Sequence, residues 1–424
     1  MTARMNRRLY GFFTKRLEEA EFDQVPDGRD ERGKRWNLGA LLRTVVGAML
    51  AGAQSLADVE ELSTRMSTPI RRLFGIQRRV PDTTLRDVLC TVDPQTLRSS
   101  LHAVVHQAER RKALEPSVLP FGVVSLDGKA FSIPASDDWY AQRQTSSEDG
   151  PLVGVVRSVT ATLTSHPARP VIDVFPIPAH TNEMGVFEPA FGALCEAYSG
   201  LFQLICYDAG ACSAHNAQLV REHGYHYLFA LTAAQPTLFH EAKLWLGARQ
   251  ADEADATSED IERGLVIIRR LYFGAATAAP DGWDSLRSVL RIETLVHDKT
   301  GKLISHDNRY LISSLPESRL TKDHWLLVVR QRWGVETAHP ILDTAFVEDD
   351  HPWIEAHPRA ALVVAILRRI AYTLLTLFRS VTQRSEERRS VPWKQLMRDV
   401  LFALATTTWQ HLNGLRRHNI ATLC

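Results

Sequence analysis

Little in this chain marks it as secreted, disulfide-built or membrane-embedded. Five cysteines (Cys90, Cys195, Cys206, Cys212 and Cys424) are an odd number with no C-x-x-C spacing, which argues against a disulfide framework and a structural zinc site. Free thiols are expected. No run approaches the roughly eighteen uninterrupted apolar residues of a membrane span, and the most apolar candidate, 361–378, is broken by Arg368 and Arg369. The opening Met1-Thr2-Ala3-Arg4-Met5-Asn6-Arg7-Arg8 lacks the apolar stretch of a signal peptide, so a cytoplasmic protein is expected. Net charge is scarce too. The 50 Lys and Arg against 49 Asp and Glu leave +1, so any phosphate affinity must come from local basic patches. There is no repeat at a solenoid period.

What the chain does have is length and pattern. Its 424 residues, 45% hydrophobic and 23% charged, suffice for two or three domains with a large core. Residues 1–116 read as helical: 38–50, 55–66 and 83–104 show 3.6-type spacing, with breaks at Gly52, Pro69 and Pro81. Two basic clusters, Arg7, Arg8, Lys15 and Arg16, then Arg71, Arg72, Arg78 and Arg79, could meet phosphates or simply be solvated helix faces. Thr83 and Thr84 could open a helix-turn-helix-like module.

From about 118 the texture turns strand-like at 122–126, 153–163, 171–176, 201–207 and 225–231, with helical 183–198 and 213–222 interleaved. That β-β-β-α-β-α-β order predicts an antiparallel meander extended by parallel strands through right-handed crossovers. The acidic, alanine-rich 247–263 reads as an exposed loop. Strand-like 264–273, 286–297 and 308–314 follow, then helical patterning from 321 to 346 and again over 360–381 and 393–412.

Two apolar runs end in an aspartate: Val123-Val124-Ser125-Leu126-Asp127 and Leu204-Ile205-Cys206-Tyr207-Asp208. A run buried on both faces reads as a strand of an open sheet, and an acid at its end is held at the rim. A third acid, Glu336, sits in Arg332-Trp333-Gly334-Val335-Glu336. Carboxylates from separate elements suit Mg²⁺, and two divalent ions about 4 Å apart can serve both sides of a phosphodiester. Any one such aspartate could equally be a turn or cap residue.

On a continuous helix, Arg332, His339 and Asp343 would share the face of Glu336, with Pro340 placed to kink it. Arg332 would then meet a DNA phosphate or form a surface ion pair. Trp333 is a core aromatic or a platform for an unstacked base. Lys129 could reach a phosphate or be exposed. Glu183 reads as an N-terminal helix residue rather than a fourth ligand, and His215 and Asn216 as capping or surface residues. The acidic run Glu348, Asp349 and Asp350 reads as a helix end or an internal contact.

Taken in order, these pieces resemble the DDE transposases of bacterial insertion sequences, RNase H-like in fold, particularly the branch with the H-repeat-associated proteins. The resemblance covers most of the chain. It rests on Leu126-Asp127-Gly128-Lys129, His180-Thr181-Asn182-Glu183, Tyr207-Asp208-Ala209-Gly210-Ala211-Cys212, Tyr227-Leu228-Phe229-Ala230-Leu231-Thr232, Arg309-Tyr310-Leu311-Ile312-Ser313-Ser314-Leu315, Arg332 to Glu336, and Leu342-Asp343-Thr344-Ala345-Phe346. It implies an α/β, RNase H-like mixed-sheet core with a β-rich insertion and helical flanks. It assigns Asp127, Asp208 and Glu336 as catalytic ligands of two Mg²⁺ ions, with Mn²⁺ as a substitute; on the functional reading of their own positions, Arg332, Trp333 and Lys129 are the expected DNA contacts.

The implied division is a DNA-binding helical domain over 1–116, catalytic core over 117–235, insertion over 236–318 facing DNA, a catalytic helix over 319–350 and a helical region over 351–424. The implied partners are double-stranded DNA, as terminal inverted repeats and target, and a second copy on paired ends. Where the wider family often has a Tyr before the Arg and a Lys seven after the Glu, this chain has Val329 and Asp343. Asp343 is therefore a feature of the branch or an accessory acid. Two other readings remain: a relative that binds DNA without cutting it, and a carboxylate-pair sugar hydrolase, which has no use for the Arg332 to Glu336 context.

Overall fold

Capping side chains set the first helix limits. The computed structural model describes residues 3–134, 138–145, 150–262, 264–276, 282–332, 334, 338–383 and 385–413. It opens with α1 (Ala3–Glu19), α2 (Leu38–Leu50), α3 (Leu56–Arg65), α4 (Thr68–Phe74), α5 (Asp82–Leu89) and α6 (Pro94–Arg110). Asn37 accepts from the Ala40 N–H and Ser55 from the Asp58 N–H, starting α2 and α3. The one helix expected over 83–104 is instead two, because Asp93 caps a new helix whose first turn takes Pro94.

The chain continues through β1 (Val123–Pro134), β2 (Ala141–Thr145), β3 (Leu152–Leu163), β4 (Val171–Ile177), α7 (Phe187–Ala197), β5 (Leu204–Tyr207), α8 (Ala214–Glu222), β6 (His226–Leu231) and α9 (Pro236–Leu246). Four more strands follow, β7 (Ala256–Glu262), β8 (Leu265–Ala275), β9 (Ser288–His297) and β10 (Leu303–Ser313). The last elements are α10 (Lys322–Arg332), α11 (Ala338–Ala345), α12 (Pro358–Leu377), α13 (Glu386–Arg389) and α14 (Trp393–Thr406).

Among the described residues the strands form one mixed sheet, in the order β2-β3-β1-β5-β6-β10-β9-β8-β7, with β4 also on β3. β1, β3 and β4 pair antiparallel, β5 is parallel to β1, and β6 is parallel to β5. This is the expected α/β mixed sheet, a meander followed by parallel strands with helices on its flanks. The sequence reading missed β2, whose polar Gln142, Arg143 and Gln144 show no apolar alternation. It also took β7 for loop. β7 is an edge strand, and Glu259, Asp260 and Glu262 there discourage further pairing while giving the segment a loop's composition.

One apolar core runs from Leu9 in α1 to Leu404 in α14. Its centre is α12, which packs on α2, α6 and β4. By length and composition the stretch Pro358–Thr382 could cross a membrane, but it is wholly buried within the fold. Each fully buried Leu or Ile contributes about 1.5–3 kcal/mol, and Leu362, Ile366, Leu367, Ile370 and Leu374 are all at 0% exposure. The helix also takes two arginines inside, where Arg369 pairs with Glu348 and Arg368 donates to the His351 carbonyl.

A second buried pair joins α6 to the sheet. Arg98 Nε and Nη2 meet Asp173 Oδ1 and Oδ2 at 2.9 and 2.5 Å, and His102 lies beside them. Burial pushes the Asp173 carboxyl up, but His102 and Arg98 more than offset this and hold it well below the usual range.

Candidate metal centre at the rim of β1 and β5

Strand register makes the site. Val123 stands opposite Leu204 and Ser125 opposite Cys206, and continuing that offset brings Asp127 level with Asp208. Asp208 immediately follows β5 and is exposed, with Oδ1 accepting from the Gly210 N–H at 2.9 Å. Asp127 lies across from Thr160 of β3, whose buried hydroxyl has no hydrogen-bond partner among the described residues.

Glu183 joins this pair, contrary to its reading as a helix residue. α7 begins only at Phe187, which leaves Glu183 in the preceding turn. A Cβ at Gly128 would lie 2.0 Å from Glu183 Oε1, so only glycine after Asp127 lets that carboxylate settle there. Burial and then the Asp208 charge raise the Glu183 pKa, against Arg157. The Tyr207 phenol is pushed up by burial and then by Glu183, Asp208 and Asp127. Three acids therefore share one corner. Nothing in the sequence spacing links residue 183 to 127; the glycine after Asp127 was the available hint.

Arg332 ends α10, and its Nη1 donates to the carbonyl of Tyr207, the residue before Asp208, at 3.2 Å. With Phe239, Asn308, Arg309 and Tyr310 it lines a cavity of about 290 Å³. Trp333 and Glu336 lie outside the described residues. α10 is described as far as Arg332 and α11 from Ala338, with the Gly334 N–H between them turned back to the Gln331 carbonyl; the expected sharing of one helix face with Glu336 lies outside the described residues. Pro340 lies within α11.

α11 and the turn after it bring further groups. His339 Nδ1 is 3.4 Å from Asp127 Oδ2. Burial, with Arg369 and Lys129 nearby, pushes this imidazole down to about 3, so the contact is that of a neutral ring. Lys129 is only 8% exposed, so the solvent-facing alternative does not hold. Its Nζ lies 2.7 Å from Asp343 Oδ1 and 2.9 Å from Asp349 Oδ1. Carboxylate oxygens of Asp343, Glu348 and Asp349 come within 4.8 Å of one another. Such a set could hold a metal, but the Lys129 ammonium and the Arg369 guanidinium already supply its positive charge.

Away from this corner, His215 lies in α8, near Glu188 at 3.3 Å, and the Asn216 N–H is capped by Ser213. The described cysteines, Cys90, Cys195, Cys206 and Cys212, are free thiols.

Among curated proteins, none matches this chain. A solved structure, a cryo-EM piggyBac transposase synaptic complex with hairpin DNA, aligns at 13% identity and a TM-score of 0.44, over 97% of this chain and 80% of that one. Residues 20–104 match the family model described as DDE_Tnp_1-associated. That match spans α2 to α5 and most of α6.

Proposed function

We propose that this chain is the transposase of a bacterial insertion sequence, with Asp127, Asp208 and Glu336 as ligands of two Mg²⁺ ions. The observation that carries the reading is the β1–β5 register, which sets two carboxylates side by side at the rim of a mixed sheet. The donors fit such a metal: hard carboxylate oxygens, with Glu183 in the same corner and the unpartnered Thr160 hydroxyl opposite Asp127. Bound there, divalent metal supplies the charge that activates a water or 3′-hydroxyl and stabilises the leaving oxygen.

In this reading Asp208, exposed and held by its own turn, presents an oxygen outward, while His339 keeps Asp127 in place. Arg332 and the cavity it lines receive DNA next to the scissile phosphate, and Trp333 contacts a base. DNA is also gripped away from the acids. In the N-terminal region, Arg29, Arg35, Trp36, Arg78 and Arg79 from the connections between helices, with Thr84 of α5, line an open groove of about 730 Å³. Among the described residues Arg35 and Arg78 have no carboxylate partner, and Arg78 lies over the Trp36 ring at 5.4 Å. Two copies act on paired ends in the cytoplasm.

The test is cleavage of labelled DNA carrying the inverted repeats that flank the coding sequence, with Mg²⁺, with EDTA and with Asp208→Asn. Metal-dependent nicking at the 3′ ends, lost in Asp208→Asn, is the expected result. Tight binding without nicking under any metal would replace this reading with a DNA-binding relative, and a binding constant insensitive to salt would remove the phosphate contacts.

A further inference from the structure

The face of the β1–β3 pair that lies against α12 carries a polar row. Ser158, Thr160 and Thr162 alternate along β3, each 3% exposed or less, opposite Lys129, Asp127 and Ser125 of β1. Several hydroxyls of this neighbourhood are answered. Ser125 Oγ and Thr164 Oγ1 lie 3.0 Å apart, Ser165 Oγ accepts from the Val123 N–H at 2.9 Å, and Thr373 of α12 donates to the Val171 carbonyl. Thr160 and Thr162 are not: both are at 0% exposure, and neither hydroxyl has a hydrogen-bond partner among the described residues. An interior hydroxyl left unbonded lowers stability where a valine of the same shape would not, so its presence calls for a reason.

For Thr160 the strand register supplies one. It stands directly opposite Asp127 on β1 and Val174 on β4, and directly opposed residues of antiparallel strands project from one face with Cβ atoms about 4.5–5.5 Å apart. The Val174 side chain offers no acceptor, which leaves the Asp127 carboxylate as the polar group facing Thr160 across the ladder. Thr162 faces Ser125 and Val171 instead, with no carboxylate across either ladder.

We propose that Thr160 is a positioning residue for the metal corner: its hydroxyl donates to the Asp127 carboxylate when that carboxylate binds a divalent cation, and so fixes the orientation of the ligand. The inference rests on the reading of Asp127 and Asp208 as metal ligands. His339 Nδ1 lies 3.4 Å from Oδ2 of the same carboxylate, so Asp127 is steadied from two elements, α11 and β3. Groups that hydrogen-bond a metal ligand typically change metal affinity tenfold or more when removed. The hydroxyl left unbonded in the metal-free chain is then stability given up at a functional position.

The experiment measures Mn²⁺ affinity of the full chain by calorimetry and its melting temperature in EDTA. Thr160→Val keeps the shape and removes the hydroxyl. It is expected to weaken Mn²⁺ binding about tenfold and yet to raise the metal-free melting temperature by about 1–2 °C. Thr160→Ser keeps the hydroxyl, so its Mn²⁺ affinity should stay close to the wild-type value. Thr162→Val, the control in the same row, should raise the melting temperature alike and leave Mn²⁺ affinity unchanged. Thr160→Ala, which needs no extra room, reports the same loss of affinity if the valine variant does not fold.

Unchanged Mn²⁺ affinity in Thr160→Val would make the hydroxyl a bystander and overturn the proposal. Equal weakening in Thr160→Val and Thr162→Val would mark a general disturbance of the sheet and overturn it as well. A wild-type chain without Mn²⁺ affinity would overturn the metal reading itself, and the proposal with it, a result distinct from the other two because it appears before any substitution is made.

Discussion

The seam between α6 and β4 and the rim between β1 and β5 treat charge in opposite ways. At the seam, Asp173 is enclosed, bonded twice by Arg98 and flanked by His102. At the rim, Asp208 is exposed and accepts from a backbone N–H of its own turn, and Glu183 and Asp127 crowd the same corner. Charge that is fully answered inside the protein holds it together. Charge that the fold gathers at an exposed rim is available to something that arrives.

Substitution should separate the two regions cleanly. Asp208→Asn is expected to lower metal-dependent nicking on the order of a thousandfold or more, with stability within about 0.5 kcal/mol of wild type by denaturant titration. Asp173→Asn should do the reverse, costing about 3–5 kcal/mol because it strands Arg98 in the interior, while nicking by the folded fraction persists. If both variants lost stability alike, the contrast would be wrong.

A subtler change tests how the rim is built. Gly128→Ala places a Cβ against the Glu183 carboxylate and should swing that flexible side chain out of the corner at a cost of about 1 kcal/mol or less. The concentration of Mn²⁺ needed for half-maximal nicking should rise with it. An unchanged Mn²⁺ requirement would mean that Glu183 takes no part in the site.

The smallest effect concerns protons. His166 accepts from the Ala168 N–H, and burial pushes its pKa down to about 4, against about 6.5 in an unfolded chain. Below 6.5 the unfolded chain takes up a proton that the folded one refuses. The contribution of the neutral ring is thus complete above about 6.5 and lost as pH falls towards 4. His166→Gln should flatten the melting temperature over that interval, measured by calorimetry.

How much of this could be read from the sequence follows from what each region buries. β1, β5 and β6 are buried on both faces and announce themselves as apolar runs, so the two aspartates and their rim position were legible. So were α2 and α8, whose caps Asn37 and Ser213 lie just before their first residues. β2 and β7 were not, because an edge strand of Gln, Arg, Glu and Asp has a loop's composition. Glu183 and the Lys129–Asp343 pair were invisible for a different reason: they are contacts across 55 and 214 positions of chain, which no local pattern encodes.

The placement of α12 has a consequence for synthesis. α2 and α6 belong to the first 110 residues, yet the helix that fills the space between them and β4 ends at Leu377. At about 5–20 residues per second, the ribosome needs roughly ten seconds or more to travel from α6 to the end of α12. Until then the apolar faces of α2 and α6 await their filler. A nascent chain of this protein must therefore be shielded during that wait, and one cut short before α12 emerges would expose those faces to its neighbours.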